Sequence, residues 1–83
     1  MADSSTRVTL LSKPGCHLCD DARLVVAAVC ADLGIGWEER NITLDPAEQA
    51  RYWEEIPVVL IDGRQHAYWT VEESRLRAAL VVR

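Results

Sequence analysis

The sequence predicts one α/β domain in the order β-α-β-α-β-β-α, with a four-stranded mixed sheet and three helices. Three observations predict it. Val8-Thr9-Leu10-Leu11 and Val58-Val59-Leu60-Ile61 are short runs with the nearly continuous apolar character of central strands. From Cys16 or His17 to Leu33 the apolar period changes to that of a helix. Asp62-Gly63 then marks a hairpin, after which a second helical pattern begins. At 83 residues, 49% of them hydrophobic, the chain has enough apolar surface for one modest core and no second domain. The domain is assigned to residues 1–83, with residues 1–6 as a flexible polar leader.

Taken in order, the first strand covers Arg7 to Leu11 and stops at Ser12-Lys13-Pro14-Gly15. The long helix carries Leu18, Ala22, Val25, Val26, Val29 and Leu33 on one stripe, widened by Leu24, Ala27, Ala28 and Ala31. Valine is a mediocre helix former, so packing must hold this helix more than propensity does. Gly34 serves as its C-terminal glycine. Trp37 to Ile42 is a polar strand suited to the neighbourhood of a sheet edge. Asp45-Pro46 starts the next helix, with Glu48 completing a capping box and Tyr52 or Trp53 as its end. The apolar run after Ile56-Pro57 is the second central strand, and Gln65 to Trp69 its hairpin partner across a turn of two to four residues. Thr70 and Glu73 form another capping box, before a helix with Val71, Leu76, Ala79 and Leu80 inward and Arg75, Arg77 and Arg83 toward its end. The first half of the order implies a right-handed parallel crossover, and the second an antiparallel hairpin backed by a helix.

Charge and cysteine content narrow the function. Nine basic against thirteen acidic side chains give a net charge of -4. The eight arginines and one lysine are scattered among carboxylates, which argues against a nucleic-acid binder and against a polybasic membrane anchor. No apolar run approaches the ~20 residues of a membrane span, and the leader lacks signal-peptide form. The expectation is a cytoplasmic, monomeric protein. Three cysteines have the wrong parity for a disulfide scaffold, so a pair two residues apart points to metal binding or catalysis.

That pair is Cys16-His17-Leu18-Cys19, between a strand and a helix. Residues three apart in a first helical turn lie on one side, close enough for a disulfide. Cys16 stands where free backbone N–H groups and the helix dipole favour a thiolate, with a pKa below the usual value of about 8.5. Lys13 adds positive charge nearby, and His17 a partial one. Cys19, one turn in, is more sheltered. The mechanism that follows has the Cys16 thiolate attack a substrate disulfide and Cys19 release the product by closing Cys16–Cys19. Other readings of the pair are half a zinc site, an intersubunit metal or iron–sulfur site through Cys16, and two inert thiols. An intrachain zinc site needs further ligands, and only Cys30, His17 and His66 are left. Cys30 is about 16 Å from Cys19 along a straight helix, so no metal ligands are assigned.

Leu11-Ser12-Lys13-Pro14-Gly15-Cys16-His17-Leu18-Cys19, the later Ile56-Pro57 and the element order together resemble the glutaredoxin branch of the thioredoxin-like fold. The stretch from Lys13 to Asp20, and the tail from Val58 through His66, Tyr68 and Trp69, are similar to the small glutaredoxin-like proteins of bacteria. The resemblance implies that Cys16 is the nucleophile, Cys19 the resolving thiol and Pro57 a cis proline facing the pair. The backbone around Ile56 would then pair with a bound thiol or peptide, and Lys13, beside Pro14, would contact a glutathione carboxylate. Two positions depart from the family pattern. His17-Leu18 replaces the common Pro-Tyr between the cysteines, and Ala67-Tyr68-Trp69-Thr70 stands where a glycine pair and an acidic residue usually grip glutathione. Glutathione or another low-molecular-weight thiol is therefore the candidate co-substrate, with a protein reductase as the other electron donor. No bound organic cofactor is needed, because sulfur carries the electrons. The substrates implied are protein or small-molecule disulfides. The reading from a different class is a non-catalytic thioredoxin-fold interaction or metal-carrying module built on the same cysteines.

The remaining residues have plainer assignments. Tyr68 and Trp69 alternate on a strand, one facing the core, as packing anchors or as the wall of a substrate groove. His66 is a surface or strand-pairing residue, and Cys30 a small buried hydrophobe. Trp37 and Trp53 are core or half-buried supports. Arg51 is an exposed helix arginine able to attract a carboxylate. Glu38, Glu39, Glu54 and Glu55 are solvent-facing charge.

Overall fold

A computed structural model describes residues 6–81. The expected flexible leader lies outside the described residues except for Thr6, which begins the first strand. Arg83, placed near the end of the last helix, also lies outside them. All seven expected elements are present: β1 (Thr6–Ser12), α1 (His17–Leu33), β2 (Gly36–Asn41), α2 (Pro46–Tyr52), β3 (Val58–Ile61), β4 (Arg64–Tyr68) and α3 (Glu73–Val81). The sheet order is β2-β1-β3-β4. β1 runs parallel to β2 and antiparallel to β3, and β3 pairs antiparallel with β4. The two apolar runs are thus the two central strands, and the polar ones are the edges.

The central strands face two different cores. Val8, Leu10 and Val59 pack on one face with Ala22, Val26, Val29 and Cys30 of α1 and with Leu76 and Leu80 of α3. Their neighbours Leu11, Val58 and Leu60 belong to a smaller cluster with Cys19, Ile42 and Ile56. A strand's side chains alternate between faces, so Leu10 and Leu11 are both fully buried yet share no core.

Several expectations need correction. Leu18 and Leu24 are exposed, so the buried stripe of α1 is narrower than the sequence pattern. It runs through Cys19, Ala22, Val26, Val29 and Cys30. β2 stops at Asn41 because the Asn41 Oδ1 accepts from the Thr43 N–H at 2.9 Å, starting a 3₁₀ turn over Ile42–Leu44. Asp45 caps α2 by accepting from Ala47 and Glu48 N–H, but Glu48 closes no capping box. Its carboxylate pairs with Arg40 at 2.9 Å instead. The hairpin turn is the two-residue form, with Asp62 at φ 52° and Gly63 at φ 84°, as a type I′ turn requires. α3 starts at Glu73, so Val71 is buried ahead of the helix and Thr70 is not its cap. Arg75 and Arg77 do not sit in its last turn. Arg77 reaches Glu73 and, at 2.7 Å, Asp32 at the end of α1.

The ends of α1 are well defined. Gly34 takes the left-handed conformation at φ 69°, donating to the Ala31 carbonyl while Ile35 donates to that of Cys30. This double closure satisfies the last carbonyls, as in a Schellman motif. At the other end the cap is a cysteine, and the site begins there.

Candidate active site

β1 delivers the chain to the carboxyl edge of the sheet at Ser12, and Pro14-Gly15, with Gly15 at φ 74°, turns it back into α1. A side chain at φ 74° would be strained, so glycine suits this turn. Cys16 is then held extended, at φ -106° and ψ 111°, as the N-cap of α1. Its Sγ accepts the Cys19 backbone N–H at 3.1 Å, and its carbonyl accepts from Asp20 N–H at 3.2 Å. A sulfur in the place usually taken by a capping oxygen receives the positive end of the helix, which lowers the cost of a thiolate there. Cys16 and Cys19 are joined as a disulfide, with Cα atoms 5.2 Å apart. Cys16 is half-buried and Cys19 fully buried, so one sulfur meets the surface and the other is shielded.

The loop before β3 contributes to the cluster beside the pair. The Ile56–Pro57 bond is cis. Ile56 packs in the smaller cluster with Cys19, and Cys16 and Tyr52 lie against that cluster. Pro57 is buried, and its carbonyl accepts the Trp69 N–H at 2.8 Å. Cys16, Cys19 and Ile56 therefore come together from two distant stretches of chain, with Pro57 the next residue after Ile56.

The supporting residues fall on two sides. Lys13 and Pro14 line a cavity of about 330 Å³ with Ser12, Arg23, Glu39 and Asn41. The Lys13 ammonium lies over the Trp53 ring, 4.8 Å from its centroid. His17 is exposed in the first turn of α1. Glu39 is exposed, as expected, but it is paired. Arg23 grips it with two bonds of 2.7 Å, and the buried Ser12 hydroxyl donates to it at 2.6 Å. The Arg23 hydrogen bond, opposed by burial and helped by Ser12, holds the Glu39 carboxyl below its usual range.

Aromatic residues depart most from expectation. Trp53 is 53% exposed rather than a support. Neither Tyr68 nor Trp69 faces the core, because Trp69 leaves the strand in the left-handed conformation at φ 66°. Its indole N–H donates to the Glu54 carbonyl at 2.8 Å, and its ring meets Tyr68 edge-on at 5.0 Å between centroids. Trp53 was the residue missed as a site candidate. Its neighbours Glu54 and Glu55, and its place just ahead of Ile56-Pro57, were the available signal.

Away from the site, Cys30 is buried in the larger core, which pushes its thiol pKa up. His66 is half-buried on β4, with burial and then Arg75 lowering its pKa. Among the described residues no group of three or more His, Cys, Asp or Glu side chains is placed to hold a metal ion. Nor, among those residues, is any helix long and apolar enough to cross a membrane.

Comparison with known proteins agrees with this geometry. Residues 7–81 match the family model described as a Glutaredoxin-like domain (DUF836). Uncharacterized proteins of Mycobacterium bovis and Mycobacterium tuberculosis are 36% identical over 80 residues, covering 90% of this chain and 82% of theirs. A structural-genomics target protein of X. campestris superposes with a TM-score of 0.74 at 32% identity, covering 88% of this chain and 93% of that one. Fasciola hepatica thioredoxin superposes with a TM-score of 0.62 over 88% of this chain and 75% of its own, and at 18% identity it shares the fold alone. The architecture is the α/β thioredoxin type.

Proposed function

We propose that this chain, which belongs to the glutaredoxin-like domain family, is a small dithiol thiol–disulfide oxidoreductase. One observation carries the reading: a half-buried Cys16 caps α1 while a buried Cys19, bonded to it, sits one turn further in. In the reduced protein the Cys16 thiolate attacks a substrate disulfide RS–SR′, forming Cys16–SR and expelling R′S⁻. Cys19, as thiolate, then attacks the Cys16 sulfur, expels RS⁻ and leaves the Cys16–Cys19 disulfide. Two electrons pass from the dithiol to the substrate, and both leaving thiolates take protons from water. A thiol such as glutathione, or a protein reductase, returns the two electrons.

The helix N-terminus keeps Cys16 nucleophilic, while burial keeps Cys19 from reacting until the mixed disulfide brings a target to it. Ile56, which shares a cluster with Cys19, and Pro57 after it offer the backbone along which a substrate lies. Lys13, beside Pro14, provides a cation at the mouth of the site, and His17 an exposed imidazole next to Cys16. The setting proposed is cytoplasmic, where a reducing pool regenerates the dithiol, and the working form proposed is a monomer.

The test is a titration through dithiothreitol redox buffers, with free thiols counted by mass after alkylation. The expected result is one reversible two-electron transition at Cys16 and Cys19, between about -200 and -270 mV. Cys16→Ser is expected to remove disulfide reduction by about 10³-fold or more, with the fold intact by circular dichroism. No transition in the accessible range would sink the reading and leave a binding module in its place.

A further inference from the structure

Trp69 stands where a glycine would be easier to place. A bulky aromatic residue at φ 66° is a backbone outlier of the kind that persists only where its surroundings impose it. Burial does not impose it, since Trp69 is 54% exposed. Three hydrogen bonds do. Its backbone N–H is shared between the Pro57 carbonyl at 2.8 Å and the Glu55 carbonyl at 3.3 Å, and its indole N–H donates to the Glu54 carbonyl at 2.8 Å. A glycine at φ 66° would make the two backbone bonds without strain, so what the tryptophan adds is the third.

All three bonds end on one short segment. Glu54 to Pro57 lies between α2 and β3, and Trp69 takes the carbonyls of Glu54, Glu55 and Pro57 while passing over that of Ile56. Among the described residues, Ile56 makes no backbone hydrogen bond outside the helices and strands. Its side chain is buried in the cluster that holds Cys19, with Cys16 packed against that cluster. One residue thus pins the chain on both sides of Ile56 and leaves the peptide groups of Ile56 unclaimed. A peptide N–H and carbonyl held in this way can pair with an extended backbone.

We infer that Trp69 is a positioning residue: its indole tether to Glu54, added to its two backbone bonds, fixes the segment whose Ile56 peptide groups receive the backbone of a polypeptide disulfide. The inference rests on the oxidoreductase reading and adds to it a residue that acts through Ile56. Without the tether the segment samples arrangements that do not pair, and apparent affinity falls with the fraction of protein still competent to bind. Attack by Cys16 on a substrate already seated is not altered.

The experiment uses the full chain and a synthetic peptide with one intramolecular disulfide. Trp69→Phe keeps an aromatic ring and loses the indole N–H, whereas Trp69→Gly loses both and accepts φ 66°. Both are expected to raise KM for the peptide about fivefold, the worth of one hydrogen bond, with kcat within about twofold of wild type. Amide hydrogen exchange at Glu54, Glu55 and Ile56 is expected to quicken in both variants by about the same factor. A KM raised in Trp69→Gly but not in Trp69→Phe would mean that the ring meets the substrate directly, and would overturn the inference. Unchanged KM in both variants would overturn it too, and a lowered Tm beside that unchanged KM would mark Trp69 as a structural tie only. In these cases the wild type still reduces the peptide, and the oxidoreductase reading stands. No reduction by the wild type, together with no redox transition of the cysteine pair, would instead remove that reading and the inference with it.

Discussion

The two faces of the sheet are built differently. The larger face is covered by α1 and α3, whose buried Val26, Val29, Leu76 and Leu80 meet Val8, Leu10 and Val59 from the strands. The other face has only the short α2, which buries no residue fully and lays one half-buried side chain, Tyr52, against Leu11, Ile42, Ile56, Val58 and Leu60. Cys19 belongs to this second, thinner cluster although it sits on α1. The apolar mass that stabilises the domain is thus mostly on one side, and the paired sulfurs lean on the other. Regions with fewer packed contacts open at lower free energy, and sites that must admit a substrate are drawn from them.

Adjacent residues allow the sharpest test of this division. Leu10→Ala and Leu11→Ala remove the same atoms from fully buried positions on opposite faces, and each is expected to cost about 2–5 kcal/mol. Only Leu11→Ala is expected also to move the dithiol–disulfide equilibrium, since Leu11 shares a cluster with Cys19. Chemical denaturation and a redox titration on both variants check this, and an equal redox shift in the two would break the distinction.

The next effect is smaller and lies at the rim between the faces. Glu39→Gln is expected to lose about 0.5–1 kcal/mol at neutral pH, a modest value because Arg23 is 40% exposed and water screens the pair. A carboxyl whose folded pKa is lowered contributes stability above its unfolded pKa of about 4.3. That contribution is lost as the pH falls through the lower folded value. The stability gap between wild type and variant, followed by denaturation at several pH values, should accordingly be full at pH 7 and close on acidification below about pH 4. A gap that is constant or widens with acid would show that packing, not charge, is responsible.

The mildest probe leaves the sequence unchanged. Burial raises the Cys30 pKa, so in the reduced native protein Cys30 is expected to alkylate last, after Cys16. Its rate should follow denaturant in parallel with global unfolding, as read by peptide mapping over time. Early modification of Cys30 would mean that the larger face opens as readily as the site.

Much of this was legible in the sequence, for identifiable reasons. Val58-Val59-Leu60-Ile61 carries no polar interruption and Val8 to Leu11 only Thr9, so their central place in the sheet followed from hydrophobic pattern alone. Asp62-Gly63 specified its turn because both residues tolerate positive φ. The cysteine pair was legible because strand, turn and helix follow one another without a gap. What escaped depends on neighbours remote in the chain. Glu39 looks like one surface carboxylate among several until α1 brings Arg23 to it across the parallel crossover. Glu48 fits a capping box until Arg40 competes for its carboxylate. Trp69 continues an alternating strand until the carbonyls of Glu54, Glu55 and Pro57 pull it out of line. In each case a local rule yielded to a hydrogen-bond partner that local sequence does not contain.

Arg7 carries a consequence for chain connectivity. Its guanidinium holds Asp62 at the hairpin with two bonds of 3.2 and 3.3 Å, and it also donates to the Leu80 carbonyl across 73 residues of sequence. The beginning of β1 and the end of α3 are thus within one arginine side chain of each other. A short polar linker would bridge them, and new ends could then be opened in the exposed Leu44-Asp45 segment. The domain is topologically close to a ring, and a circularly permuted chain should still cap its first long helix with Cys16.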